Sequence, residues 1–168
     1  KELVDRIFHY REITGATLHP QSAYMILRGM KTLESRIARH NQNAMRVATY
    51  LSQHPKVEQV FYPGLETHLN HAIAKKQMSG FGGVLSFALK GDFDKVVIVL
   101  ENLQYAHKAA SLGSVGTLAG PPRTTSHVEL SAQERANAGI PESLIRYSAG
   151  IENGDDLIAD LEQALARI

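Results

Sequence analysis

Residues 144–166, LIRYSAGIENGDDLIADLEQALA, contain a strand followed directly by a helix. The first five residues are mostly apolar or aromatic, and such a short apolar run is typical of a buried strand. From residue 155 onward apolar residues recur at helical spacing: Leu157, Ile158, Leu161, Ala164 and Leu165. This spacing predicts an amphipathic helix over residues 155–166. A strand and a helix that must bury its apolar face together indicate an α/β layered domain.

The same alternation extends upstream. The patterns predict strands over residues 57–62 and 84–89, and helices over residues 2–12, 21–52, 68–78, 93–102 and 132–138. The second helix is predicted as one long helix, bent near Gly29 because glycine costs about 1 kcal/mol inside a helix. Residues 111–126 are rich in glycine and proline and are predicted as loop. We therefore expect an α/β fold with helices on one face of a small sheet. Residues 1–53 are expected to form a connecting helical segment, and residues 54–168 a compact C-terminal α/β domain.

The composition excludes several classes of function. The chain has 43% apolar and 21% charged residues and a formal net charge of +1. Because no charge of one sign dominates, neither a nucleic acid nor a membrane surface is expected as a partner. No apolar run approaches the roughly 20 residues that span a bilayer. There is no cysteine, so disulfides and thiolate chemistry are excluded, and a cytoplasmic location is the default expectation.

Two common kinds of site find little support. His68 and His71 could share a helix face, but no carboxylate stands at a spacing that completes a metal site, so no metal is expected. The glycine-rich stretch Gly80-Phe81-Gly82-Gly83 precedes a strand, whereas a dinucleotide-binding motif follows one and opens a helix. A tight turn before a core strand is the better interpretation.

Two other segments contain residues that are better candidates for a binding site. Arg146 lies inside an apolar strand, where an unpaired guanidinium would be costly to bury. Its partner could be an internal carboxylate, such as Glu152 or Asp155, or it could be the carboxylate of a ligand, gripped in bidentate fashion. Ser111 begins the second segment, Ser111-Leu112-Gly113, which offers a hydroxyl and backbone amides at the start of a loop.

At these segments the sequence resembles a known family. It is similar to the C-terminal part of the pyridoxal-phosphate (PLP) enzymes of transsulfuration, that is, of Cys/Met metabolism. The resemblance rests on ordered motifs that span nearly the whole chain: RGMKTL at 28–33, VEQVFYPGL at 57–65, GFGG at 80–83, SLG at 111–113, TTSH at 124–127, IRYSAGIE at 145–152 and DDLI at 155–158.

The resemblance implies a fold-type-I, aminotransferase-like architecture, of which this chain would supply the small C-terminal domain. It implies that Arg146 binds the α-carboxylate of an amino-acid substrate, assisted by Ser111, with Leu112 lining the same pocket. Ser126 would take the place of a threonine near the cofactor-bearing lysine. The resemblance further implies pyridoxal 5'-phosphate as cofactor and a homo-oligomer built as a dimer of dimers.

The resemblance also implies that part of the active site lies elsewhere. The family's cofactor-bearing lysine belongs to a Ser-x-Thr-Lys motif that would precede Lys1, so this chain has no catalytic residue of its own and is expected to be inactive alone. The parent enzyme would catalyse γ-elimination or γ-replacement. Ala110 stands where cystathionine-handling members often carry a glutamate, which favours methionine or an O-acylhomoserine. Cystathionine γ-synthase or γ-lyase activity is one alternative, and a stand-alone amino-acid-binding module without catalysis is another.

Overall fold

A computed structural model describes all 168 residues of the chain. The chain forms two compact units, Lys1–Glu34 and Ser35–Ile168. In the first unit, helix α1 spans Glu2–Thr14 and helix α2 spans Pro20–Met30. Gly15 ends α1 with φ 66°, a left-handed conformation that glycine adopts without steric cost. His19 caps α2, since its ring accepts a hydrogen bond from the amide of Gln21.

The long helix predicted over residues 21–52 is two helices. Helix α2 ends at Met30, and α3 spans Leu33–Ser52 after a turn at residues 31–32. Within the turn the amide of Lys31 donates to the Arg28 carbonyl, and the hydroxyl of Thr32 donates to the carbonyl of Gly29. Glycine is a poor helix former and a threonine hydroxyl competes for backbone acceptors, so the helix is interrupted here rather than bent near Gly29.

A five-stranded sheet forms the centre of the second unit. Its strands are β1 (Val57–Phe61), β2 (Val84–Leu89), β3 (His107–Lys108), β4 (Leu118–Gly120) and β5 (Leu144–Ser148). The order is β1-β2-β5-β4-β3. All neighbours are antiparallel except β3 and β4. Strand β5, the apolar run of residues 144–148, is therefore central.

Helices cover one face of the sheet. In addition to α3, the second unit contains α4 (His71–Gln77), α5 (Phe93–Asn102), α6 (Ala132–Asn137) and α7 (Gly154–Leu165), and a 3-10 turn at Pro122–Thr124. Apolar residues of α3, α5 and α7 form one core with alternate strand residues: Val47, Leu51, Val96, Val99, Leu157, Leu161, Leu85, Phe87, Ile145 and Tyr147. This arrangement confirms the predicted α/β class with helices on one face.

Strand β4 lies within residues 111–126, which the sequence pattern assigned to a loop, and β3 lies just before them. They have two and three residues, too few to show the alternation by which a strand is recognised. Their pairing comes from the tertiary structure, because β4 is held beside β5 through residues far apart in sequence. None of the helices combines the length and the apolar character that a membrane span requires.

Candidate functional site

Arg146 projects from the face of the sheet opposite the helices. Its neighbours Ile145 and Tyr147 are fully buried in the core, and successive strand residues point to opposite faces. The residue opposite Arg146 in β4 is Gly120. A Cβ at Gly120 would lie 3.0 Å from the carbonyl oxygen of Ala109. The missing side chain thus lets the segment after β3 approach the arginine closely.

Three backbone carbonyls hold the guanidinium of Arg146. Nη1 donates to the Ala110 carbonyl at 2.7 Å, and Nη2 donates to the carbonyls of Ala109 at 2.8 Å and Ser111 at 2.7 Å. Nε is buried and has no hydrogen-bond partner. Burial lowers the pKa of Arg146, yet an arginine stays protonated in proteins. The site is an oriented cation that carbonyl dipoles fix in place but no anion neutralises.

Neither internal carboxylate considered from the sequence pairs with Arg146. Glu152 accepts hydrogen bonds from the amide of Thr117 at 2.6 Å and from its hydroxyl at 2.9 Å. Asp155 forms an ion pair with Arg46 on α3. The interpretation of Arg146 as half of a salt bridge with Glu152 or Asp155 is therefore wrong, and the charge of Arg146 remains available to a ligand.

The other predicted site residues divide into two groups. Ser111 lies beside Arg146 through its carbonyl, while its hydroxyl makes no hydrogen bond within the chain. Leu112 follows it and is exposed. Ser126 is exposed and its hydroxyl is 2.8 Å from Nδ1 of His127; it makes no hydrogen bond to Arg146. The structure thus places Ala110 and Ser111 against the arginine, with Leu112 next to them in the chain.

A buried network holds the loop next to the arginine, and the sequence did not reveal it. The Thr117 hydroxyl accepts a hydrogen bond from the amide of Gly150 at 2.8 Å and donates to Glu152. The hydroxyl of Ser148 accepts a hydrogen bond from the amide of Gly113 at 3.0 Å. Residues 113–117 are thereby tied to the end of β5. The signal was present in Glu152, a carboxylate that follows closely on the strand of residues 144–148.

A Ser148→Ala variant tests this tie. The amide of Gly113 would lose its acceptor, and one net hydrogen bond contributes about 1 kcal/mol to the free energy of unfolding. We expect a loss of that size in urea unfolding and a higher KM for the amino-acid substrate. Ser52→Ala, at the end of α3, is the matched control that leaves KM unchanged. An unaltered KM for Ser148→Ala would show that the tie does not shape the site.

Asp160 anchors the segment that leads into β3. This residue is only 2% exposed, and its carboxylate accepts hydrogen bonds from the amides of Gln104, Tyr105 and Ala106 at 2.8, 3.0 and 3.4 Å. The turn fixed in this way continues through β3 to the three carbonyls that hold Arg146. The sequence did contain a signal, because Asp160 lies within the apolar stripe of α7, where a charge needs partners.

Helix α3 holds residues 149–152, which follow β5, through side-chain hydrogen bonds. Nδ2 of Asn43 donates to the carbonyls of Gly150 and Glu152, both at 2.9 Å, and Nδ1 of His40 is 2.6 Å from the carbonyl of Ala149. Asn43 is fully buried. It is buried because residues 149–152 turn away from the sheet and expose carbonyls that need donors.

The histidines considered as metal ligands serve other purposes. His71 stacks on Phe81 with ring centroids 5.6 Å apart, and its Nδ1 is 2.8 Å from the Pro63 carbonyl. His68 accepts a hydrogen bond from the amide of Asn70. No group of three or more histidine, aspartate or glutamate residues is arranged so that it could hold a metal ion.

Known proteins resemble this chain over its full length. A family profile described as "Cys/Met metabolism PLP-dependent enzyme" matches residues 1–166. An L-methionine gamma-lyase of Fusobacterium nucleatum subsp. polymorphum is 50% identical over 170 residues, which cover 100% of this chain and 43% of that protein. The chloroplastic cystathionine gamma-synthase 1 of Nicotiana tabacum is 44% identical over 167 residues, covering 99% of the chain and 31% of that protein.

A solved structure agrees with this likeness. The cystathionine gamma synthase of Xanthomonas oryzae pv. oryzae, crystallised in complex with aminoacrylate and cysteine, has a TM-score of 0.91 and 40% sequence identity. The match covers 99% of this chain and 43% of that one. The chain therefore spans less than half the length of the relatives it matches.

Proposed function

This chain belongs to the PLP-dependent enzymes of Cys/Met metabolism, and from that premise we propose that it provides the site for the substrate α-carboxylate in a longer enzyme. Arg146 is the residue that binds the carboxylate, with Ser111 as a second donor and Leu112 as apolar lining. The observation that carries the proposal is the guanidinium of Arg146, which is held by three carbonyls and has no acidic partner.

The electrostatics favour a carboxylate as the ligand. A guanidinium that is partly withdrawn from water attracts an anion more strongly than one in bulk solvent. Three of its five N–H groups are used by carbonyls and that of Nε is buried, which leaves one N–H of Nη1 for a ligand. Because the carbonyls fix the plane of the group, little side-chain entropy remains to be lost when a carboxylate binds. Arg146 would therefore orient an amino acid by its α-carboxylate.

The residues present fit the amino-acid end of a PLP site. A cation without a counter-ion, whose Nη1 keeps one free N–H, is the group expected where a substrate carboxylate enters. When bound, pyridoxal phosphate supplies the electron sink for carbanion chemistry at the substrate Cα. The exposed hydroxyl of Ser126 is proposed to lie near the cofactor-bearing lysine. Assembly as a dimer of dimers is also a proposal.

The reaction we propose is γ-elimination or γ-replacement on a sulfur amino acid or its precursor. Ala110, beside Arg146, offers a methyl group and no charge. A substrate with a distal ammonium group would find no carboxylate there, so methionine or an O-acylhomoserine is favoured over cystathionine. Activity on cystathionine is the second candidate, since cystathionine gamma-synthases are among the relatives. A stand-alone module that only binds amino acids is the third.

An Ala110→Glu variant of the full-length enzyme tests the substrate preference. Ala110 is exposed, so a longer side chain can be accommodated without loss of the core. A carboxylate there would meet the distal ammonium of cystathionine, and a partly exposed charge pair is worth about 1 kcal/mol. We expect kcat/KM for cystathionine to rise about fivefold relative to methionine. Ala110→Gln, which has the same length without the charge, should not change the ratio. An unchanged ratio in both variants would remove the argument from Ala110.

Mixing the 168-residue chain with pyridoxal phosphate tests whether the cofactor-bearing lysine lies elsewhere. None of the lysines of this chain is buried, and a lysine dedicated to a cofactor is normally activated by a desolvated or cationic environment. We expect borohydride reduction followed by mass mapping to show only scattered, substoichiometric labelling. A single lysine labelled stoichiometrically would contradict the proposal and would indicate a complete cofactor site in these residues.

A further inference from the structure

A cavity of about 500 Å³ lies between α5 and the β3–β4 edge of the sheet. Its walls are mainly apolar and come from Phe93, Val97 and Leu100 on α5, together with Ala119 and Pro121. The volume lies within the range of small-molecule sites in proteins. Among its lining residues, the proposed function uses only Ala109 and Ala110.

Two opposite charges line the same cavity. Glu101 belongs to the last turn of α5, and Lys108 is the second residue of β3. Both side chains are exposed. Neither forms an ion pair with the other or with any other residue of the chain. A ligand that carries both charges could therefore satisfy both residues at once.

We propose that this cavity binds a small apolar α-amino acid as a second ligand, separate from the substrate. Its carboxylate would meet Lys108, its ammonium group would meet Glu101, and its side chain would lie among Phe93, Val97 and Leu100. A zwitterion with an apolar side chain matches the cavity in both respects. A plain fatty acid or a plain amine would leave one charge of the cavity unmatched.

The cavity and the arginine site adjoin at residues 109, 110 and 120 and extend over different faces of the sheet. Ala119 packs in the core with α5, on the helix-covered face, whereas Arg146 projects from the other face. Ala109 and Ala110 belong to both sites, because they line the cavity and their carbonyls hold the guanidinium. A ligand in the cavity would contact the backbone of Ala109 and Ala110 and could displace their carbonyls. Its binding should therefore change the affinity of Arg146 for a carboxylate.

Calorimetric titration of the full-length enzyme with L-norleucine tests the proposal. Norleucine is apolar and has no γ-leaving group, so it is not consumed. The titrations are made in an Arg146→Leu background, in which the proposed binding of a carboxylate by Arg146 no longer contributes to the measured affinity. We expect binding at one site, weakened about fivefold by Lys108→Gln and by Glu101→Gln, which corresponds to about 1 kcal/mol for each charge. Lys76→Gln, an exposed lysine outside the cavity, is the matched control and should bind as the background does.

Two truncated ligands test which charged group of the ligand binds Lys108 and which binds Glu101. Hexanoate lacks the ammonium group and should be insensitive to Glu101→Gln, while hexylamine lacks the carboxylate and should be insensitive to Lys108→Gln. Val97→Trp fills the apolar part of the cavity without touching either charge, and it should weaken all three ligands at least tenfold.

Three outcomes would overturn the proposal: no binding in the Arg146→Leu background, equal affinity in all the variants, or full binding by Val97→Trp. These outcomes do not depend on whether Arg146 binds the substrate carboxylate. A failure of the carboxylate assignment would instead appear as unchanged kinetics on replacing Arg146, whatever norleucine does. With Arg146 intact, saturation of the cavity should shift the KM for the substrate at least twofold. An unchanged KM would limit the site to binding without coupling and would overturn the inferred role of the shared backbone.

Discussion

Arg146→Leu in the full-length enzyme is expected to lower kcat/KM for the amino-acid substrate by roughly thirty- to several-thousand-fold. This range corresponds to the about 2–5 kcal/mol lost when a desolvated charged contact is removed. The three carbonyls that now hold the guanidinium belong to Ala109, Ala110 and Ser111, which are not buried. Water can therefore replace the arginine at these carbonyls, and stability should change little. Steady-state kinetics and the visible spectrum of the cofactor measure the effect.

Matched variants separate the charge from its geometry. Arg146→Lys keeps the positive charge but cannot reach three carbonyls and a carboxylate with one compact ammonium group, so its kcat/KM should fall between those of the wild type and Arg146→Leu. Arg167→Leu, at an exposed arginine beyond α7, should behave as the wild type. Wild-type kinetics for Arg146→Leu, with cofactor retained, would contradict the assignment.

Asp160→Ala should lower the free energy of unfolding by about 3–5 kcal/mol, because three backbone amides would lose their buried carboxylate acceptor. The same turn leads into β3 and then to the carbonyls around Arg146. Where the variant folds, we therefore also expect a higher KM for the substrate. Urea unfolding measures the first effect and steady-state kinetics the second.

Asp160→Asn distinguishes positioning from general destabilisation. One side-chain oxygen remains to accept an amide hydrogen bond, so part of the stability and most of the KM should be restored. Asp156→Ala removes an exposed carboxylate from the first turn of the same helix and should cost only a few tenths of a kcal/mol. A folded Asp160→Ala variant with wild-type KM would make Asp160 purely structural.

The periodic elements of this fold were predictable, and the non-periodic ones were not. Strands β2 and β5 and helix α5 occupy the predicted residues, because each carries a sustained apolar pattern. The break at residues 31–32 and the short strand β4 depend on local hydrogen bonds and on pairing between distant residues. Neither leaves a periodic signal in the sequence.

The candidate site shows the same division. A charge in the middle of an apolar strand singled out Arg146, since such a charge must have a partner. The sequence could not say which partner, because the three acceptors are main-chain carbonyls, which every residue possesses. The role of Asn43 was not predictable for a related reason: its acceptors are also carbonyls, in a turn whose position depends on the tertiary fold.

The central claim, that Arg146 binds the substrate α-carboxylate, is tested most directly by a cycle of two enzymes and two substrates. Wild type and Arg146→Leu are each assayed with the amino acid and with its carboxamide, which keeps the shape but loses the charge. If the claim holds, wild type prefers the acid strongly and the variant loses at least about 2 kcal/mol of that preference. An equal preference in both enzymes would show that Arg146 does not contact the carboxylate.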